Sequence, residues 1–202
     1  INLDRTIRVE NMPKPGETIH TKEIFSAGGG KGANQAVAAQ RSGANTHFIG
    51  AVGDDAAGKT MLDLLTQEKI NLAGITKMTN QSTGQAYVTV DDAGENQIMI
   101  HGGANMAFTP ADVEAHRDII ETSDFVVAQF ESAVDSTVEA FKIAQAAGVR
   151  TILNPAPAME KVPAELLAVT DIIVPNETET ETLTGIAITD EASMLKASAA
   201  LH

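Results

Sequence analysis

Apolar and polar residues follow two different rhythms along this chain. Residues 3–9 and 17–27 predict short strands on either side of the turn-rich stretch 11–16, and residues 46–52 predict another. Ala86, Val88 and Val90 alternate with Gln85, Tyr87 and Thr89, the period of a strand with one wet face. Asp91-Asp92-Ala93-Gly94-Glu95 then joins that strand, 84–90, to a second at 96–101 as a hairpin. From residue 109 the rhythm changes to helix, strand, helix, strand. Thr109-Pro110 supplies an N-cap and a first-turn proline for a helix to about Glu121. Phe125-Val126-Val127-Ala128 is a continuous apolar run, as in a strand covered on both faces. Val134, Val138 and Phe141 lie on one stripe of the following helix, and Val149–Leu153 and Ile172–Val174 predict two more buried strands. Strands alternating with helices predict an α/β fold with a mostly parallel sheet sandwiched between helix layers. The wet-faced strands at about 3–27 and 84–101 predict a small additional sheet, placed as a lid.

Composition narrows the classes. The 202 residues fit one domain, and 43% hydrophobic against 20% charged residues is an ordinary globular balance. The core must be aliphatic, because the chain has no Trp and a single Tyr. A formal net charge of −13 repels nucleic acid and anionic lipid, so neither is expected as a partner. An anionic ligand would need a local device such as backbone N–H groups, a helix N-terminus, a few lysines or Mg²⁺. The absence of cysteine removes disulfide and thiolate chemistry and suits the cytoplasm, where the chain is expected to act. No apolar run is long enough for a membrane span. His20, His47, His101, His116 and His202 show no metal-ligand spacing.

Two glycine-rich segments imitate phosphate loops. Gly53-Asp54-Asp55-Ala56-Ala57-Gly58-Lys59-Thr60 matches G-x-x-x-x-G-K-[ST] letter for letter, between a strand and a helix whose apolar face is Met61, Leu64 and Leu65. Its two adjacent carboxylates would face phosphates of their own sign, and no later strand ends in an Asp placed for Mg²⁺. The competing reading is a strand–turn–helix connection whose aspartates favour the helix N-terminus. Gly28-x-Gly30-x-x-Ala33 fits a loose dinucleotide fingerprint, but the residues before it form a polar strand and not a buried parallel one.

Residues 28–53, GGGKGANQAVAAQRSGANTHFIGAVG, carry the decisive pattern. Gly30, Gly32, Asn34, Ala36, Gly43 and Gly53 fall at the spacing of the N-terminal signature of the ribokinase family of sugar kinases, which the chain resembles over essentially its whole length. The wording Gly29–Ala39 is closer to the ribose kinases than to the fructokinase, phosphofructokinase or nucleoside kinase relatives, although another pentose, hexose or nucleoside stays open as substrate. Glycines without Cβ let backbone approach a ligand, while Lys31 and Asn34 supply polar groups suited to hydroxyls. The resemblance implies a three-layer α/β/α sandwich, ribokinase-like, with a small β-sheet lid through which two copies pair as a homodimer.

The resemblance also implies a site. Asn2-Leu3-Asp4 matches the family's Asn-x-Asp, in which both side chains hold the sugar; Asp4 alone reads more readily as a surface turn carboxylate. Gly30, Lys31 and Asn34 complete that corner, and Glu131, after the strand at 124–130, matches a sugar-reaching Glu or else a plain loop carboxylate. Asn176 and Glu179 match an N-x-x-E motif near Mg²⁺ and the ATP phosphates, Glu179 through a metal-bound water, yet Asn followed three residues later by Glu is also a helix capping box. Asn154–Ala158 looks like a family loop with no assigned role. ATP, Mg²⁺ and a monovalent cation, K⁺, are the implied cofactors. Two family features are absent from these 202 residues: a buried strand before Asn-x-Asp, and a Gly-Ala-Gly-Asp-like helix start that carries the catalytic base. No catalytic base is therefore assigned here; it and the cation site are expected outside the chain. A sugar-binding fragment without catalysis is the alternative.

Overall fold

A computed structural model describes residues 1–201. The chain divides into two compact units, residues 1–107 and 108–202.

The first unit is built on β1 (Asn2–Arg8), which is hydrogen-bonded along both edges. On one side it pairs antiparallel with β2 (Glu23–Gly29), and on the other it runs parallel to β5 (Gly84–Val90). With β6 (Asn96–His101), antiparallel to β5, the order is β2-β1-β5-β6. These four strands come from the two stretches expected to form the lid. The stretch 17–22, expected as strand, is not one: pairing with β1 begins at Glu23 opposite Arg8 and continues to Gly29. A second, parallel pair joins β3 (His47–Gly53) to β4 (Asn71–Met78) through helix α2 (Ala56–Gln67). Helix α1 (Lys31–Arg41) follows β2 directly, and a single turn, α3 (Ala104–Ala107), follows β6. Ile1, Leu3, Ala33, Ala36, Val52, Met61, Leu65 and Ile70 close one core between strands and helices. Leu64, placed on the apolar face of α2 by its spacing, is 37% exposed, whereas Met61 and Leu65 are buried.

The second unit is a parallel sheet in the order β7 (Phe125–Ala128), β8 (Arg150–Leu153), β9 (Ile172–Ile173). The predicted helix from 109 to 121 is two short helices, α4 (Pro110–Glu114) and α5 (Arg117–Glu121). Thr109 caps α4 in a full capping box with Asp112. Arg117 braces the joint by donating to Glu114 at 2.7 Å and to Glu121 at 3.0 Å. Helices α6 (Val134–Ala146), α7 (Ala164–Leu167), α8 (Glu177–Thr184) and α9 (Glu191–Leu201) complete the unit. The α6 stripe behaves as its spacing demands: Val138 and Phe141 are buried in a core with Leu153 and Leu166, and Val134 packs against that core.

The β7 expectation needs correction. Phe125 and Val127 are 55% and 48% exposed, so among the described residues the strand is covered on one face only, through Val126 and Ala128. A continuous apolar run shows that neither face is polar; it does not supply the layer that covers the second face. Phe141 is fully enclosed, so Phe141→Ala is expected to cost about 3–5 kcal/mol, read from the urea midpoint of unfolding.

Candidate functional site

Residues two apart on a strand share a face, so β1 presents Asn2 and Asp4 together. Antiparallel pairing sets Gly29 opposite Asn2. The Asp4 carboxylate lies across Gly29: a Cβ built there would sit 2.1 Å from Asp4 Oδ2 and 2.3 Å from its Cγ. Only glycine leaves room for the carboxylate at this place. The next residue, Gly30, has φ +89, a conformation that side-chain-bearing residues rarely adopt, and turns the chain into α1. Lys31 opens that helix, and Asn34 N–H donates to Gly30 O at 2.9 Å in its first turn. The first turn contains no acidic residue, and Gly30 offers no side-chain cap. Asn2, Asp4, Gly30, Lys31 and Asn34 are thus gathered at one corner where β1, β2 and α1 meet. Carboxylate, amide, ammonium and a helix N-terminus together can both accept from and donate to hydroxyl groups.

Asn2 is 3% exposed and has a partner that sequence reasoning missed. Asn105, in α3 and 5% exposed, donates through Nδ2 to Asn2 Oδ1 at 2.8 Å and to Ile1 O at 3.0 Å, and its Oδ1 accepts from Ile1 N at 3.0 Å. The two glycines just before Ala104-Asn105 mark a tight turn in the sequence, but its partner lies more than a hundred residues away, so no local pattern announces it.

Beyond Asp4 the same face turns apolar. The register aligns Asp4 with Ala27, Ala86 and Ile100, and Thr6 with Phe25, Val88 and Ile98.

The remaining predicted residues belong to the second unit. Glu131 follows β7, Asn154 follows β8 and Asn176 follows β9, so all three lie at the C-terminal edge of a parallel sheet, the edge at which open α/β sheets bind ligands. Asn154 Nδ2 donates to Val174 O at 3.0 Å and links two of these strand ends. The capping reading of Asn176 and Glu179 holds in full: Asn176 Oδ1 accepts from Glu179 N–H at 2.8 Å, and Glu179 Oε2 accepts from Asn176 N–H at 2.9 Å. Glu179 is buried, with one oxygen committed to its own helix. Among the described residues no group of three His, Asp or Glu stands ready for a metal. Mg²⁺, which keeps most of its waters, requires no such group.

The imitation phosphate loop has a structural explanation. Asp55 caps α2: its Oδ1 accepts from Gly58 N–H at 2.8 Å and from Thr83 Oγ1 at 2.6 Å, and its Oδ2 from Thr83 N–H at 2.9 Å. A Cβ at Gly53 would lie 2.3 Å from Gln81 O, and one at Gly58 2.4 Å from Gly53 O, so both glycines serve close backbone packing. Lys59 points outward to Asp63 at 2.8 Å. A carboxylate of the chain itself fills the place a phosphate would need. The dinucleotide fingerprint also lacks its setting, since β2 pairs antiparallel at a sheet edge.

Comparison with known proteins identifies the family. The model of the pfkB family carbohydrate kinases matches residues 1–202. The chain belongs to that family. It is 48% identical over 194 residues to the ribokinase of Staphylococcus aureus, covering 96% of this chain and 64% of that protein. It is 53% identical over 195 residues to a bifunctional ribokinase/ribose-5-phosphate isomerase A of Fructilactobacillus sanfranciscensis, covering 96% of this chain and 36% of that protein. The structure of Arabidopsis thaliana ribokinase complexed with ribose and ATP superposes with a TM-score of 0.91 at 35% identity, covering all of this chain and 65% of that one. The family's ribokinase-like α/β fold is therefore the fold of this chain, and the chain spans between about one third and two thirds of its relatives' length.

Partial burial pushes the Asp55 carboxyl up, but the hydrogen bonds from Thr83 and Gly58 outweigh it and hold the group below the ordinary carboxylate range. A depressed folded value gives stability that is complete above the unfolded value, about 3.9, and is lost as pH falls through the folded one. Asp55→Ala is accordingly expected to cost about 1–2 kcal/mol at neutral pH and progressively less in acid, whereas Lys59→Ala leaves stability nearly unchanged. Urea titrations of both variants at pH 7 and pH 3 check this.

Proposed function

We propose that this chain carries the sugar-holding part of an ATP-dependent kinase that phosphorylates ribose at its 5-hydroxyl. The observation that carries the reading is the Asp4 carboxylate lying across Gly29 beside the uncapped start of α1. A carboxylate in that position accepts from two neighbouring hydroxyls at once, which selects a vicinal diol. Asn2, Lys31 and Asn34 donate to the sugar oxygens, and Gly30 lets backbone approach the ring. The apolar face formed by Ala86, Val88 and Ile100 suits the C–H side of a sugar. Glu131, which follows β7, is assigned to the sugar on the family resemblance.

Asn176 and Glu179 fit the nucleotide side. Glu179 has one oxygen bound to its own helix start, which leaves the other to accept from water bound to Mg²⁺, and Asn176 faces the same strand ends. MgATP, when bound, supplies the phosphoryl group and neutralises its charge. The part of the residues of this chain is to hold and orient the sugar, and positioning is most of what phosphoryl transfer asks of a protein. The base that takes the hydroxyl proton, and a K⁺ site, belong to the part of the family's length that these residues do not span. Cytoplasmic placement is part of the same reading.

The complete gene product is expected to release ADP only when ribose is present. Asp4→Asn is expected to lower kcat/KM for ribose at least a hundredfold, because the lost bonds are charge-assisted. Near-normal kinetics for that variant would remove Asp4 from the site, and ribose binding without ADP release in the complete protein would replace the kinase by a sugar-binding module.

The sheet that carries Asp4 also exposes Ile24, Phe25, Ile98, Met99 and Ile100, each between 46% and 62% accessible. Edge strands that expose apolar side chains on both faces in this way favour pairing with a second copy. The protein is expected to be a dimer by light scattering, and Met99→Glu to shift it toward monomer.

A further inference from the structure

Asn105 lies outside every motif discussed above, yet it decides how Asn2 is presented. The Ile1 nitrogen is a donor and the Ile1 carbonyl an acceptor whatever the side chains do. Asn105 meets both, Oδ1 against the nitrogen and Nδ2 against the carbonyl, each at 3.0 Å. Its amide therefore has one permitted orientation. Because Nδ2 also lies 2.8 Å from the Asn2 side chain, the Asn2 atom it meets must be the oxygen. This turns the Asn2 Nδ2 group away from Asn105. Gly84 makes the arrangement possible: a Cβ there would sit 2.3 Å from Asn105 Nδ2 and 2.3 Å from Asn2 Oδ1. Both asparagines are more than nine-tenths buried, so neither amide exchanges its partners cheaply with water.

We propose that Asn105 is a positioning residue that acts through Asn2, fixing the Asn2 amide so that a donor stands on the strand face that carries the Asp4 acceptor. The proposal rests on the sugar-holding reading of Asn2 and Asp4. A hydroxyl both gives and accepts a hydrogen bond, and a donor two residues from a carboxylate on one strand face matches it. With the Asn2 amide reversed, two acceptors would share that face and one lone-pair clash would replace a bond. The work of Asn105 is thus discrimination for a hydroxyl at that point of the sugar, delivered by a residue held to Ile1 and Asn2 through three hydrogen bonds.

The test uses the complete gene product, with ribose binding followed by calorimetry and KM for ATP measured alongside. Asn105→Asp keeps size and the bond from the Ile1 nitrogen but replaces the donor facing Asn2 by an acceptor. It is expected to weaken ribose binding about tenfold or more, with KM for ATP unchanged. Asn105→Ala is expected to do the same. In an Asn2→Ala background, neither substitution at position 105 is expected to weaken ribose binding further. If Asn2→Ala weakens ribose binding while the Asn105 variants, folded by their ATP KM, bind ribose normally, the positioning role is wrong. Equal losses in the wild-type and Asn2→Ala backgrounds would overturn it as well, since they show an effect that bypasses Asn2. If Asn2→Ala itself leaves ribose binding intact, the sugar-holding reading of this corner fails instead. Should Asn105→Asp not fold, Asn105→Ser, smaller and still able to accept from the Ile1 nitrogen, takes its place under the same criteria.

Discussion

The candidate site depends on one close approach: a carboxylate resting on a strand where no side chain intervenes. Asp4 can occupy its place because Gly29 lacks a Cβ and because β1 is held from both sides, by β2 and by β5. An edge strand could shift when a ligand binds. A strand with both ladders satisfied cannot do so without breaking them. The same pairing carries Gly30 to the point where its positive φ starts α1, so the carboxylate and the helix start are placed by a single piece of backbone.

Much of the fold was legible because its rhythm was local. The β5–β6 hairpin appears at residues 84–90 and 96–101 as expected, since strict alternation and a turn-forming link both mark it. The α6 stripe holds for the same reason. Where a partner decides, the pattern fell short. Residues 17–22 resemble a strand, but the ladder with β1 starts only at Glu23, and β4 was missed because Asn71–Met78 mixes polar and small residues with apolar ones. The run at Phe125–Ala128 named a strand correctly and its covering wrongly.

The site was legible in part, and mostly through resemblance. The glycine corner is visible in the sequence, but contact between Asp4 and Gly29 spans 25 positions and follows only from the antiparallel register. Asn176 and Glu179 show the limit from the other side: one four-residue spacing describes a helix cap and a phosphate-side motif equally well, and the structure displays the cap. The loop at Gly53–Thr60 matches a phosphate-binding pattern in every letter and yet is filled by Asp55, because a helix N-terminus attracts whichever anion is nearest.

Helices α2, α4 and α8 each begin under a side chain of their own, from Asp55, Thr109 and Asn176. Helix α1 begins under Gly30 with no such group. A ligand oxygen settling there would act as the missing cap, so part of its binding energy would appear as tighter winding of the first turn. Occupancy of the corner would then be recorded in the slowed hydrogen exchange of Lys31, Gly32 and Ala33, three amides that belong to no other element.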